Sequence, residues 1–346
     1  MTVEQDPDVT GFLTTNMPYV TVTICQPGGP CVQVDHVLVD TGSTGLRVFA
    51  SALGGLSLPT VDATTGGPAG ECADFLSGYM WGPVRLANVH LGGEAASNIP
   101  IQVVSDGSFP SAPSSCTGSG LTGYTSESNL GAKGIIGVDV FATDGQSYYD
   151  CSTASCTAST VATEVSNVVR GFAVDNNGVM LSMPAVAAGG QSTATGTLTF
   201  GVDTQPDNSQ AGFAIIPEDA YGDFTATMNG SSYPSSITDS GSNFYFLNMP
   251  AGTPTTSQNF INPPAATTYP VVFQSNLAGG QSYSTSIELD PYSSNGMNAL
   301  PNTGVEMNNA GMQIFGFPYF YGKTIALTYV GSPSNEGVGP LLGVQG

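Results

Sequence analysis

One two-part pattern occurs twice in this chain, in the same order, and that repetition limits the fold more than any other feature. At 36–46 the run HVLVDTGSTGL carries Asp40, Thr41, Gly42 and Ser43; at 235–246 the run SSITDSGSNFYF carries Asp239, Ser240, Gly241 and Ser242. The two aspartates are 199 residues apart. After each copy comes an apolar-apolar-Gly element, Ile135-Ile136-Gly137 in GIIGVD and Ile314-Phe315-Gly316 in QIFGFP. Each half of the chain therefore holds the same parts, an apolar run entering an Asp-hydroxyl-Gly-Ser turn and a later apolar strand.

The surrounding sequence predicts an all-β protein. YVTVTI, VQVDHVLVD, ANVHLG, IPIQVV, GTLTFGV, GFAIIP, FTATM, FYFL, PVVF and TIALTYV alternate Val, Ile, Thr and aromatics, with Gly, Pro, Asn or Ser between them. Short helices are expected only within ESNLGAKGIIGVDVF and STVATEVSNVVRGFAV. A length of 346 residues suits two lobes, each with its own core. Loose stretches at 105–124 and 188–197 read as surface loops, and the second, near mid-chain, marks an expected division into 1–187 and 188–346. The aromatics Phe315, Phe317, Tyr319, Phe320 and Tyr321 read as core.

Charge narrows the function classes. Only 5 Lys+Arg stand against 26 Asp+Glu, a formal net charge of −21, so at neutral pH the molecule repels nucleic acid and anionic membranes. In acid, protonated carboxyls would relieve that self-repulsion, a composition suited to low pH. No stretch approaches the roughly eighteen apolar residues of a spanning helix, and residues 1–16 show no basic-then-apolar signal pattern. Six cysteines fall as two close pairs, Cys25 with Cys31 and Cys151 with Cys156, which leaves Cys72 and Cys116 as a third pair by elimination. Zinc is the rival reading of the close pairs, but neighbouring second ligands are missing. Three bridges imply an oxidising compartment, with secretion (or a periplasmic location) after removal of a signal peptide.

The twin motifs resemble those of the pepsin-like aspartic proteases, in which each lobe supplies one Asp-Thr/Ser-Gly loop and one apolar-apolar-Gly strand beside it. The likeness covers most of the chain: DFLSGYMWGPVRLANVHLGG resembles the flap hairpin and the following strand, GTLTFGVDT the opening of the second lobe, and IFGFPYFYGKTIALTYV the closing strands. WGPVRLANV, DNNG, DSGSN and PYFYGK are further similar to a divergent group of secreted bacterial proteins. The resemblance implies two distorted β-barrel lobes with a cleft between them, Asp40 facing Asp239, and hydrolysis of peptide bonds at acidic pH. It also implies that Thr41 and Ser240 bond across the lobe junction and that Ser43 and Ser242 bond the outer carboxylate oxygens. Gly42 and Gly241 allow the tight turns. The chemistry has its own rationale: two adjacent carboxyls share one proton, so one can act as base towards water while the other acts as acid.

Two positions depart from that family's pattern. The flap tyrosine's place falls on Phe75, with Tyr79 four residues later, and the place of its tryptophan partner is Arg47. Either the flap is rebuilt, with Tyr79 or the lone tryptophan Trp81 over the cleft and stacking on Arg47, or closure is lost. The family's basic prosegment is also unmatched, since the first basic residue is Arg47; it has been removed or is not used.

Other candidates carry less. His36 lies four residues before Asp40, which strand alternation would put on the same face, and reads as a satisfied polar side chain; His90 reads as a strand-end residue. A Ser-His-Asp hydrolase lacks the Gly-x-Ser-x-Gly elbow. DNNG at 175–178 is too short for a calcium loop, and Asn229-Gly230-Ser231 reads as a turn rather than a glycosylation acceptor. The expectation is a monomeric aspartic endopeptidase acting on polypeptides, without metal or cofactor, nucleic acid or membrane. The alternatives are a weak or inert binding or inhibitor protein on the same fold, and a structural β protein.

Overall fold

The computed structural model describes residues 1–6, 14–118, 120–293, 295–307, 309 and 311–346. Strand accounts for 47% and helix for 7%, so the class is all-β. The two helical expectations reduce to one turn each, Glu127–Leu130 and the 3-10 turn Val169–Gly171. Ser126 and Asn129 cap the first reciprocally, while GIIGV forms the strand Gly134–Val138.

Six strands close a barrel in the first half. Pro18–Cys25, Cys31–Asp40, Gly134–Val138, Thr44–Phe49, Glu94–Val104 and Gly78–Leu91 pair in that order, and Gly78–Leu91 returns to Pro18–Cys25. Closure leaves these strands no free edge. Their pairings, taken in order from Pro18–Cys25 to Glu94–Val104, run antiparallel, parallel, antiparallel, parallel. The second half repeats that sequence with Phe224–Met228, Ser231–Asp239, Ile314–Gly316, Tyr245–Leu247 and Gly304–Glu306. Thr267–Ser275 and Ser282–Leu289 extend its outer edge.

A third, antiparallel sheet joins Thr197–Phe200, Gly178–Ser182, Thr324–Thr328, Leu341–Gln345 and Ala214–Pro217. The chain crosses the 187/188 division in both directions: in this sheet Gly178–Ser182 pairs with strands that follow it, and in the first sheet Ala194–Thr195 pairs with Thr2–Val3. One contiguous apolar cluster runs from Val3 to Val344 through both halves. Phe315, Phe317, Tyr319, Phe320 and Tyr321 are all buried in it, with Phe273 4.6 Å from Phe315 between ring centroids.

All six cysteines form disulfides: Cys25 with Cys31 and Cys151 with Cys156, as their spacing suggested, and Cys72 with Cys116, the pair left by elimination. The two short bridges each staple a single hairpin. The third ties the 105–124 segment to the strand Ala69–Asp74. Three bridges fit an oxidising compartment. No helix among the described residues is long and apolar enough to cross a membrane.

Strand alternation from His36 to Asp40, expected to place both on one face, is broken. Val22 pairs with Val34 and Val20 with Val37, so Cys31–Asp40 carries one extra residue in a bulge. His36 sits in that bulge at φ 49°, its nitrogens 3.4 Å from Asp35 and 3.7 Å from Glu4. His90 is exposed near the end of Gly78–Leu91, and Asn229-Gly230 forms the tight turn joining Phe224–Met228 to Ser231–Asp239.

Candidate functional site

Asp40 and Asp239 end two strands that share one neighbour type. In register, Asp40 lies opposite Gly137 and Asp239 opposite Gly316, the glycines of the two apolar-apolar-Gly strands. Those glycines leave room for the turns: a Cβ on Gly137 would come within 2.5 Å of the Ser43 carbonyl oxygen, and one on Gly316 within 2.5 Å of the Ser242 carbonyl oxygen. The Asp139 amide donates to the Ser43 carbonyl at 2.9 Å and the Phe317 amide to that of Ser242 at 2.7 Å.

Within each turn the carboxyl is held twice. Asp40 accepts from the Gly42 amide at 2.8 Å and from the Ser43 hydroxyl at 2.5 Å. Asp239 accepts from the Gly241 amide at 2.8 Å and from the Ser242 hydroxyl at 2.6 Å. Between the turns the bonding is reciprocal. The Thr41 amide donates to the Ser240 hydroxyl at 3.0 Å and the Ser240 amide to the Thr41 hydroxyl at 2.9 Å. Each hydroxyl then donates to the strand opposite, Thr41 to the Thr238 carbonyl at 3.1 Å and Ser240 to that of Val39 at 2.7 Å.

This lock brings the carboxyls together. A Cβ on Gly42 would meet the Asp239 carboxyl carbon at 2.8 Å, and one on Gly241 would lie within 2.6 Å of that of Asp40. Each glycine is thus required by the opposite loop's carboxyl. Loss of hydration, then the Asp40 charge and a hydrogen bond that protonated Asp239 donates to that carboxyl, push Asp239 well above the usual carboxylate range against the Ser242 and Gly241 hydrogen bonds. The proton is therefore favoured on Asp239, beside the Asp40 carboxyl.

The hairpin formed by Ala69–Asp74 and Gly78–Leu91 carries the remaining predicted residues. Phe75, at its turn, lies 5.8 Å from the Arg47 guanidinium carbon. Tyr79 and Trp81 do not reach Arg47, because strand alternation turns them away from Met80, which packs with Phe75 and Ile135. Tyr79 packs against Gly123, and the Trp81 indole donates to the Pro110 carbonyl at 2.7 Å between Phe109 and Tyr149. Arg47 is fully buried and donates to Glu71 at 2.7 Å and Asp144 at 2.6 Å.

Sequence reasoning missed a third acid beside the pair. Asp139 follows GIIGV directly; burial, against the pull of the Val140 amide and helped by the charges of Asp40 and then Asp223, raises it to about 7. Glu218, buried with one oxygen unpartnered, is pushed well above its usual range by burial and then by Asp139 and its neighbours. The available signal was an aspartate two residues after the glycine of a fully buried strand, where an apolar residue is the expectation.

Fold and site together define a twin-motif β protein in which two carboxyl-bearing turns, one from each half, are locked face to face. The chain belongs to the family described as protein of unknown function (DUF3443), whose model matches residues 1–343. No curated protein matches the sequence.

Proposed function

We propose that this protein is a secreted aspartic endopeptidase of pepsin-like, two-lobed architecture, with Asp40 and Asp239 as its catalytic pair. The observation that carries the reading is the reciprocal Thr41–Ser240 lock, which sets each turn's glycine against the other turn's carboxyl. A structural β protein has no use for two buried like-charged groups held in contact, since their burial costs stability unless they share a proton.

The reaction follows from the shared proton. The ionised member takes a proton from a water lying between the two carboxyls, and the resulting oxygen attacks the scissile carbonyl carbon. The protonated member gives its proton to the carbonyl oxygen, forming a neutral tetrahedral intermediate; collapse passes a proton to the leaving nitrogen and restores the pair. Ser43, Ser242 and the Gly42 and Gly241 amides hold the carboxyls in orientation. The substrate is an extended polypeptide, with apolar side chains flanking the cut as the resemblance implies, and the protein acts as a monomer without metal or cofactor.

One observation favours a second reading, a weakly active or inert binding protein on the same fold: Phe75 has no hydroxyl and Arg47 is committed to two acids, so the usual flap pair is absent. Cleavage of an unfolded protein, followed by mass spectrometry from pH 2 to 7 for the wild type beside Asp40→Asn, separates the two. An acid optimum that disappears in the variant is the expected result, with a loss of at least about a thousandfold. Equal cleavage by both proteins, or by neither, refutes the peptidase reading.

A further inference from the structure

Arg47 is 1% exposed, and its guanidinium touches three separate parts of the first half. Nη1 donates at 2.7 Å to the carbonyl of Thr44, the first residue of the strand that leaves the Asp40 turn. Nη2 donates to Glu71 on the first arm of the 69–91 hairpin and to Asp144. The guanidinium carbon lies over the ring of Phe75, at the hairpin turn. The acids are anchored in their turn: the Tyr148 hydroxyl donates to Asp144 at 2.7 Å while accepting from the Val165 amide, and the Glu71 carbonyl accepts from Gln102 at 2.8 Å.

As a source of stability this cluster is a poor choice, because well-packed apolar side chains hold strands together without desolvating a guanidinium and two acids. What a planar guanidinium adds is direction, since two donors and a flat face fix the angle between the groups they meet.

We propose that Arg47 is a positioning residue that ties the hairpin to the Asp40 turn and so sets where the hairpin stands relative to a bound polypeptide. The consequence for substrate rests on the peptidase reading; the tie itself does not. Burial pushes Glu71 well above the usual carboxylate range despite the pull of Arg47. Glutamine at 71 keeps the acceptor oxygen that Nη2 uses and so keeps the tie, whereas shortening the guanidinium to an ammonium breaks its geometry.

The test is amide hydrogen exchange, read by mass spectrometry, for the wild type, Arg47→Lys and Glu71→Gln. Arg47→Lys is expected to raise exchange across 69–82 about tenfold, as loss of a charged hydrogen bond implies, while 231–239 and 341–345 keep wild-type rates. Glu71→Gln is expected to stay within about twofold of wild type throughout. Unchanged hairpin exchange in Arg47→Lys, or a rise spread evenly over all strands, overturns the proposal. With an oligopeptide substrate, Arg47→Lys should raise KM several-fold with kcat nearly unchanged; an unaltered KM beside a loosened hairpin removes the substrate consequence. If the wild type cleaves nothing, the peptidase reading fails on that result, and the exchange data still decide the tie.

Discussion

Thr41 and Ser240 each use one hydroxyl twice, accepting from the opposite turn's amide and donating to the opposite strand's carbonyl. Threonine and serine serve equally, because the bond needs only a hydroxyl on Cβ. Both hydroxyls are buried, so deleting one strands an amide and a carbonyl away from water. Thr41→Val is accordingly expected to cost about 2–4 kcal/mol, measured as a lower urea midpoint with an unchanged slope. The same variant should weaken cleavage without abolishing it, in contrast to Asp40→Asn, since the carboxyls keep their own bonds to Gly42, Ser43, Gly241 and Ser242.

The hairpin formed by Ala69–Asp74 and Gly78–Leu91 is held from two sides. Arg47 grips it from the barrel, and Cys72–Cys116 ties its outer face to the 105–124 segment, beside Trp81, Phe109 and Tyr149. Because Cys72 and Cys116 are 44 residues apart while the other bridged cysteines are 5 and 6 apart, this bridge removes the most freedom from the unfolded chain. Replacing Cys72 and Cys116 together by alanine is expected to cost about 4 kcal/mol, against roughly 2 kcal/mol for Cys151 and Cys156. Thermal unfolding of the two double variants checks the order. Trp81, the only tryptophan, would report local loosening in the first variant as a red shift of its emission.

Across the whole molecule, the acid excess is not confined to the surface. Burial first, and then neighbouring acids, raise Asp139 to about 7 and Asp223 to about 6, and push Glu218 well above its usual range. Unfolded carboxyls titrate near pH 4. Between that value and the folded ones the native state binds more protons, so stability falls as pH rises. It is fully present below about pH 4 and is lost as pH climbs through 6 and 7. Asp139 alone accounts for a loss on the order of 4 kcal/mol. Urea unfolding at pH 4 and pH 7 should show this fall, and Asp139→Asn should flatten it; a protein equally stable at both values refutes the assignment. Such a molecule keeps its fold in acid.

What the sequence alone determined was local. Alternating Val, Ile and Thr specified strands, Asp-Thr-Gly-Ser and Asp-Ser-Gly-Ser specified turns that bind their own carboxyls, and cysteines 5 and 6 residues apart paired because a hairpin leaves them adjacent. The repeat of GIIG and IFG also announced two strands that pass behind those turns, since a Cβ there would strike the turn backbone. Long-range packing decided the rest. A single bulged residue turned His36 away from the face its spacing implied. Met80 took the inward position on its strand, so Tyr79 and Trp81 went outward and Phe75 became the ring over Arg47. Glu71 and Asp144 reach Arg47 from positions 24 and 97 residues away, and Asp139 meets Asp40 only because parallel pairing of Gly134–Val138 with Cys31–Asp40 brings them together. Partners at that distance leave no periodicity for a sequence to display, because side-chain pairing across sheets depends on register, and register is set by the folded core.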